Sequence, residues 1–370
     1  MEKVKIFAFY LPQFHSIPEN DEWWGKGFTE WRNVALSKPR FRGHDQPRIP
    51  EALGFYDLKA IDIHHQQAKL AKENGIDGFC YYHYWFNEKT LLETPLEVIR
   101  DNTSIDVKYM ICWANENWTR RWDGKDQQVL IAQNYEDYNP NAHFLHMLKY
   151  FKDERYEKID NKPVFVLYRA NQIENLGEMI DVWDRMAIEN GFQGIYFISV
   201  STTNIQDQRA ISLGVKRIID FQPSKNHPAR GLNAKFLHYI ASGVLRGELK
   251  IKLTRIIGGI EFAKIFNYKR LSENNINKFM SNEYISCIIP QWDNSARRKT
   301  DSTVIQNGDA SLYGAWLAAA IKRTINIESP KYVFINAWNE WAEGCYLEPD
   351  LKNGDAFLLE TKRVIDENRN

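Results

Sequence analysis

The chain reads as an α/β protein folded as a single (β/α)8 TIM barrel with long βα loops. Three observations predict this. Eight apolar, strand-like runs recur along the sequence, helical patterns lie between most of them, and strand after strand ends in a polar–aromatic cluster. A doubly wound sheet commonly has fewer strands. The 370 residues exceed the usual ~100–200 per domain, but barrels of this kind often run longer as one domain, taken here as 1–370.

In order, the strand-like runs are Val4–Leu11, Gly78–Trp85, Lys108–Ala114, Pro163–Tyr168, Ile195–Val200, Arg217–Phe221, Ser286–Gln291 and Tyr332–Ala337. Helical patterns at Leu58–Asn74 and Leu176–Asn190 both stop at Asn-Gly, and Ala310–Ile325 is alanine-rich. Two insertions break the rhythm. The first, Pro12 to Phe55, carries Trp23, Trp24, Glu30, Trp31 and His44, too aromatic for disorder, and is expected to order over the barrel mouth. The second, Ser224 to Arg270 within a wider 224–280 insertion between strands six and seven, holds ten Lys/Arg against Glu248 and Glu261. Its charge is therefore +8, and its mixture of Leu, Ile, Phe, Arg and Lys suits an interfacial helix. It is expected to recruit an anionic partner, either a membrane surface or a pyrophosphate-linked glycan.

With 48 Lys+Arg against 48 Asp+Glu, the composition argues against a general nucleic-acid binder. Twelve Trp, 18 Tyr and 20 Phe supply aromatics beyond the needs of a core, as ligand grooves do. Cys80, Cys112, Cys287 and Cys345 form no CxxC pair and read as buried free thiols. The N-terminus lacks a secretory apolar core, and no apolar run approaches a membrane span. The expected location is cytoplasmic, with peripheral contact to the inner membrane through the basic segment.

Chemistry in such barrels gathers where strands end and βα loops begin. The residues found there are Tyr10, Gln13 and His15 after strand one, and Tyr82, His83 and Trp85 on strand two. Strand three supplies Trp113, Asn115, Glu116 and Trp118; strand four Tyr168 and Arg169; strand six Gln222; strand seven Trp292 and Asp293. With Trp24, Trp31 and His44 from the first insertion, these are the candidate substrate-binding residues. His143 and His146 suit one helix face without a third ligand and read as surface residues, not a metal site.

The stretch Tyr332–Asp350 concentrates the signal. A buried strand switches abruptly to Trp338, Asn339, Glu340, Trp341, Glu343 and Gly344. Two carboxylates three residues apart beside tryptophans are poor stabilising chemistry, because burial costs free energy unless each is paired. They suit glycoside chemistry, in which one carboxyl donates a proton and the other assists at the sugar ring. A proton donor near neutral pH needs a raised pKa, which tryptophan walls can supply by desolvation; a base needs a polar setting. Glu340 and Glu343 are the two carboxyls that these requirements single out.

The motifs YLPQFH, WWGKGFTEWRNV, FRGHDQPRIP, YYHYWF, WANENWTRRWDG and NAWNEWAEGCYLEPD together resemble the WbsX-type family of bacterial surface-polysaccharide proteins. That family is similar to glycoside hydrolase family 99, the retaining endo-α-mannosidases and endomannanases. The resemblance implies a cleft at the C-terminal face of the barrel and no metal or organic cofactor. It implies catalytic roles for Glu340 and Glu343 through the family's Asn-Glu-Trp-His-Glu-Gly motif, in which Ala342 here replaces His. The first glutamate would then act as base on the sugar's 2-hydroxyl; the second would protonate the leaving oxygen and later activate water. The expected substrate is an oligosaccharide or polysaccharide, free or lipid-linked, of the O-antigen, capsule or lipopolysaccharide kind. A glycosyltransferase or transglycosylase of surface-polysaccharide synthesis is the second reading, although no GxGxxG fingerprint is present. A non-catalytic glycan-binding protein is the third.

Overall fold

The computed structural model describes residues 3–41, 43–120, 125–223, 263–298, 302–327 and 330–368. Eight strands form its centre: β1 Lys5–Tyr10, β2 Gly78–Phe86, β3 Lys108–Trp113, β4 Lys162–Leu167, β5 Tyr196–Val200, β6 Arg217–Asp220, β7 Tyr284–Ile288 and β8 Tyr332–Ile335. Every neighbouring pair is parallel, and β8 pairs with β1 through Lys5–Tyr332 to Ala8–Ile335, which closes the barrel. Two short helices, α1 Pro18–Trp24 and α2 Glu30–Leu36, lie in the first loop. Outer helices follow: α3 Ile61–Glu73, α4 Thr94–Asp101, α5 Pro140–Phe151, α6 Leu176–Glu189, α7 Asn204–Ser212, α8 Tyr268–Ile276, α9 Ala310–Ile325 and α10 Ala356–Asn368.

Local chemistry explains these elements. Asp309 caps α9 by accepting from the Leu312 N–H at 2.8 Å. The helix then buries Tyr313, Trp316, Leu317, Ala320, Ile321 and Thr324, a stripe at three- and four-residue spacing. At the start of β2, Gly78 is obligatory: a Cβ there would lie 2.3 Å from the Lys108 carbonyl oxygen and 2.7 Å from the Phe7 ring. All four cysteines are free and buried.

Alternation along each strand decides what can reach the site. Phe9 packs on Tyr82, Phe221 and Phe334, side chains from three other strand ends, so this set fills the lumen. Tyr84 follows Tyr82 on the same face. Residues 81, 83 and 85 point the other way, toward the helices.

The segment 224–262, most of the basic insertion expected from sequence, lies outside the described residues. Beyond it, Lys264–Asn267 pairs in parallel with Thr303–Gln306, and α8 belongs to the outer helical layer. No helix among the described residues is long and apolar enough to cross a membrane.

Candidate active site at the C-terminal mouth

Three loops meet where β8 ends. The β8 loop brings Glu340 and Glu343, the β7 loop brings Arg297, and α2 in the β1 loop brings Glu30. Arg297 Nη2 lies 2.9 Å from Glu340 Oε2 and 3.3 Å from Glu30 Oε2; Nη1 lies 3.0 Å from Glu343 Oε1. One guanidinium therefore holds three carboxylates. Glu30 and Glu340 are buried, whereas the Glu343 side chain is 22% exposed.

Charge arithmetic governs this cluster. With every acid ionised it carries a net −2 where two of the three acids are buried. Burial pushes the Glu340 carboxyl up from its ordinary range; Arg297 opposes this, and Glu343 and Glu30 add to it. Burial likewise raises Glu30 against the pull of Arg297. Arg297 is itself held firmly charged, because the three acids outweigh the cost of its burial. Burial thus raises Glu340, the first acid of the pair that follows β8. Trp338 and Trp341 are buried behind the turn.

Those tryptophans hold the turn in place. Trp341 Nε1 donates to Glu348 Oε2 at 2.6 Å, and its ring stacks on Tyr346 at 3.8 Å. Glu348 also accepts from Tyr56 at 2.9 Å and Gln67 at 2.7 Å. Burial, only partly offset by these donors, sets its pKa to about 7. Asn339 joins the turn to β1, accepting from the Leu11 N–H at 2.7 Å and donating to the Leu11 carbonyl at 3.0 Å. Gly344 completes the turn at φ +55°, with the Arg48 guanidinium carbon 3.1 Å from where a Cβ would stand.

Of the other residues expected at the site, the structure gathers some and displaces others. Gln13 donates to the Tyr84 hydroxyl at 3.0 Å. Tyr84 and Tyr82 are close enough to Glu340, and Tyr168 to Glu343, for their charges to interact. Arg169 ion-pairs with Glu116 at 2.8 Å and lies over the Tyr168 ring, its guanidinium carbon 4.1 Å from the centroid. Trp118 packs edge-on against Trp23 and Tyr84, and Trp24 lies against Phe28 on the rim of the first loop.

Alternation removes several others. Tyr10 faces the helices and donates to Gln67 at 2.7 Å. His83 and Trp85 also face outward, packed on His143 of α5, and Trp113 donates from Nε1 to the Trp85 carbonyl at 3.3 Å. His143 is itself fully buried, against the surface position expected of it. His15 is buried at the base of the first loop, where burial lowers its pKa to about 4.

A third group is structural. Asn115 clasps the Arg169 backbone on both sides, at 2.8 and 3.0 Å. Trp31 donates to the Tyr56 carbonyl at 2.7 Å and packs on Trp341. Gln222 accepts from Asn336 at 2.8 Å, and Trp292 is buried in the strand pair with Ile305. Asp293 accepts from His44 and Gln46, each at 2.8 Å, pinning the first loop to the β7 loop. Because the Arg40 N–H donates to His44 Nδ1, the His44 proton is on Nε2. Burial would raise Asp293, but His44 and Arg48 outweigh it and hold it at about 2.

Sequence reasoning missed Arg297, the role of Glu30, and Tyr84. Strict alternation from Tyr82 would have selected Tyr84 over His83 and Trp85. Two buried acids also demand a cation, but nothing in the string Ser295-Ala296-Arg297-Arg298 says which arginine turns inward.

Comparison with known proteins agrees with this architecture. The chain resembles the GH99 endo-α-mannosidase of Bacteroides thetaiotaomicron in complex with BIS-TRIS-propane, with a TM-score of 0.56 at 14% identity, covering 98% of this chain and 97% of that one. A solved protein described as glycoside hydrolase-like gives a TM-score of 0.61 at 14% identity, covering 100% and 95%. Both likenesses speak for the fold. In sequence, the chain is 36% identical over 363 residues to the uncharacterized protein WxcX of Xanthomonas campestris pv. campestris strain B100, and 37% identical over 362 residues to WxcX of strain ATCC 33913. These matches cover 97% of this chain but 49% of each relative, so the chain spans about half the length of the curated relatives it matches. A family model described as Glycosyltransferase WbsX matches residues 6–361, and the chain belongs to that family.

Proposed function

We propose that the chain is a glycan-active enzyme in which Glu340 and Glu343 act on a glycosidic bond of a surface polysaccharide, in the manner of a retaining endo-α-glycosidase. One observation carries the reading: Arg297 binds both acids at the C-terminal mouth. Sharing one guanidinium keeps their bound oxygens no more than about 8 Å apart, within the range of carboxyl pairs that flank a scissile glycosidic bond. The fold of the GH99 endo-α-mannosidases and the lumen tyrosines beside the pair support the same reading.

Access assigns the roles. Glu343 reaches solvent and exchanges a proton with the leaving oxygen and then with water. Glu340 lies deeper, held by Arg297, and acts on the ring side of the sugar. Burial raises both Glu30 and Glu340, so these two acids hold a proton more readily than free carboxyls do. The test is sugar release from the native polysaccharide without a nucleotide sugar, compared between the wild type and Glu343→Gln.

The family's description favours a second reading, transfer of a sugar to a growing glycan. That reaction consumes a nucleotide sugar or a donor oligosaccharide, and product mass distinguishes it from hydrolysis.

A further inference from the structure

Behind the turn that carries Glu343 lies a cavity of about 220 Å³, lined by neither catalytic candidate. Arg48, Gln291, His44, Asp293, Gly308 and Lys352 are among its walls. Arg48 is 8% exposed, and two of its side-chain hydrogen bonds leave from Nη1, to Gln291 Oε1 at 2.7 Å and to the Gly344 carbonyl at 3.2 Å. Its Nε and the Gln291 Nε2 are buried without a hydrogen-bond partner. Tyr346, Asp293 and Asp45 lie close enough to favour the charge, and the Tyr346 side chain also hydrogen-bonds to Arg48, yet neither aspartate forms an ion pair with it. Asp293 is committed to His44, Gln46 and the Ser295 N–H, and Asp45 to Lys352.

A guanidinium buried without a carboxylate contact is costly, and its unpartnered Nε lies on the Nε–Nη2 edge, the fork that takes an oxyanion in two parallel bonds. The cavity has the volume of several waters, on the order of a pyranose ring. Lys352, 63% exposed and 3.0 Å from Asp45, supplies a second cation at the rim. We propose that this cavity binds a sugar-borne oxyanion, a carboxylate or phosphate carried on a pyranose, with Arg48 as the anchor. Gly344 connects it to the acid pair, since its carbonyl accepts from Arg48 and its neighbour is Glu343. The site therefore selects an acidic residue within the glycan, and it does so by binding alone, independent of turnover.

Calorimetric titration of the full chain with D-glucuronate, D-glucose 6-phosphate, D-glucose and inorganic phosphate tests the proposal. At least one anionic sugar is expected to bind while glucose does not, with affinity roughly tenfold or more weaker in Arg48→Gln. Gln291→Glu guards against a folding defect in that variant: it is isosteric, places a carboxylate on Arg48, and is expected to abolish binding. Glu343→Gln is expected to bind as the wild type does, so this site can fail or stand apart from the catalytic reading. Failure of both anionic sugars to bind, equal binding in Arg48→Gln and Gln291→Glu, binding of inorganic phosphate alone, or loss of binding in Glu343→Gln would each overturn it.

Discussion

Replacing Arg297 with methionine keeps much of the side-chain volume but removes the cation shared by Glu30, Glu340 and Glu343. Breaking a buried pair by deleting one partner costs about 3–5 kcal/mol, and here it strands two buried acids and one partly exposed acid. The loss should depend on pH. Without the guanidinium, the folded state holds protons on Glu30 and Glu340 more tightly than the unfolded chain does, so stability falls as pH rises. Each such proton is worth about 1.4 kcal/mol per pH unit. One additional proton retained between pH 8 and pH 5.5 therefore recovers up to about 3 kcal/mol of the deficit. Urea unfolding at both pH values measures it: the variant should be about 3–5 kcal/mol less stable than the wild type at pH 8, and markedly closer to it at pH 5.5. A deficit equal at both pH values, or below about 1 kcal/mol at pH 8, would refute the charge arithmetic.

Other expectations follow from the same contacts. The native Glu348 carboxyl titrates at about 7, above its unfolded value of about 4.3. Stability should therefore fall as pH rises between those limits, and Glu348→Gln, which cannot titrate, should remove that slope in pH-dependent melts while costing about 1–3 kcal/mol for a mismatched donor. Gly344→Ala brings a Cβ to 3.0 Å from Asp293 and 3.1 Å from Arg48 at positive φ; it should lower stability by about 1–3 kcal/mol and suppress turnover by moving Glu343. Asn339→Asp keeps the bond from the Leu11 N–H but turns an anion toward the Leu11 carbonyl; thermal denaturation should show a loss of about 1–3 kcal/mol.

Strand order and barrel closure were legible because all eight strands are covered on both faces and so read as apolar runs. The eighth is the clearest case, Tyr332–Ile335 with no exposed position. The acid pair was legible for a related reason, since two acids directly after such a strand conflict with burial. Orientation was harder. β2 runs to Phe86 and buries every residue, so hydrophobicity could not separate the lumen face with Tyr82 and Tyr84 from the helix face with His83 and Trp85. Polarity also misled. Asn339, Asn115 and Asp293 look like substrate ligands in sequence, but their hydrogen-bonding capacity is spent on backbone groups and on His44 and Gln46. Such residues pair backbone and side-chain groups of the loops at the mouth that burial would otherwise leave unpaired. The acid pair depends on an arginine 43 residues earlier in the chain, a pairing set by the meeting of three loops and invisible in local pattern.

The measurement closest to the central claim is mass-spectrometric detection of glycan fragments after incubating the purified chain with its native surface polysaccharide, with no nucleotide sugar present. The wild type should release oligosaccharides, while Glu340→Gln and Glu343→Gln, folded and stable, should release none. Release that continues in both variants, or product that forms from a nucleotide sugar alone, would contradict the assignment of glycosidic cleavage to this carboxylate pair.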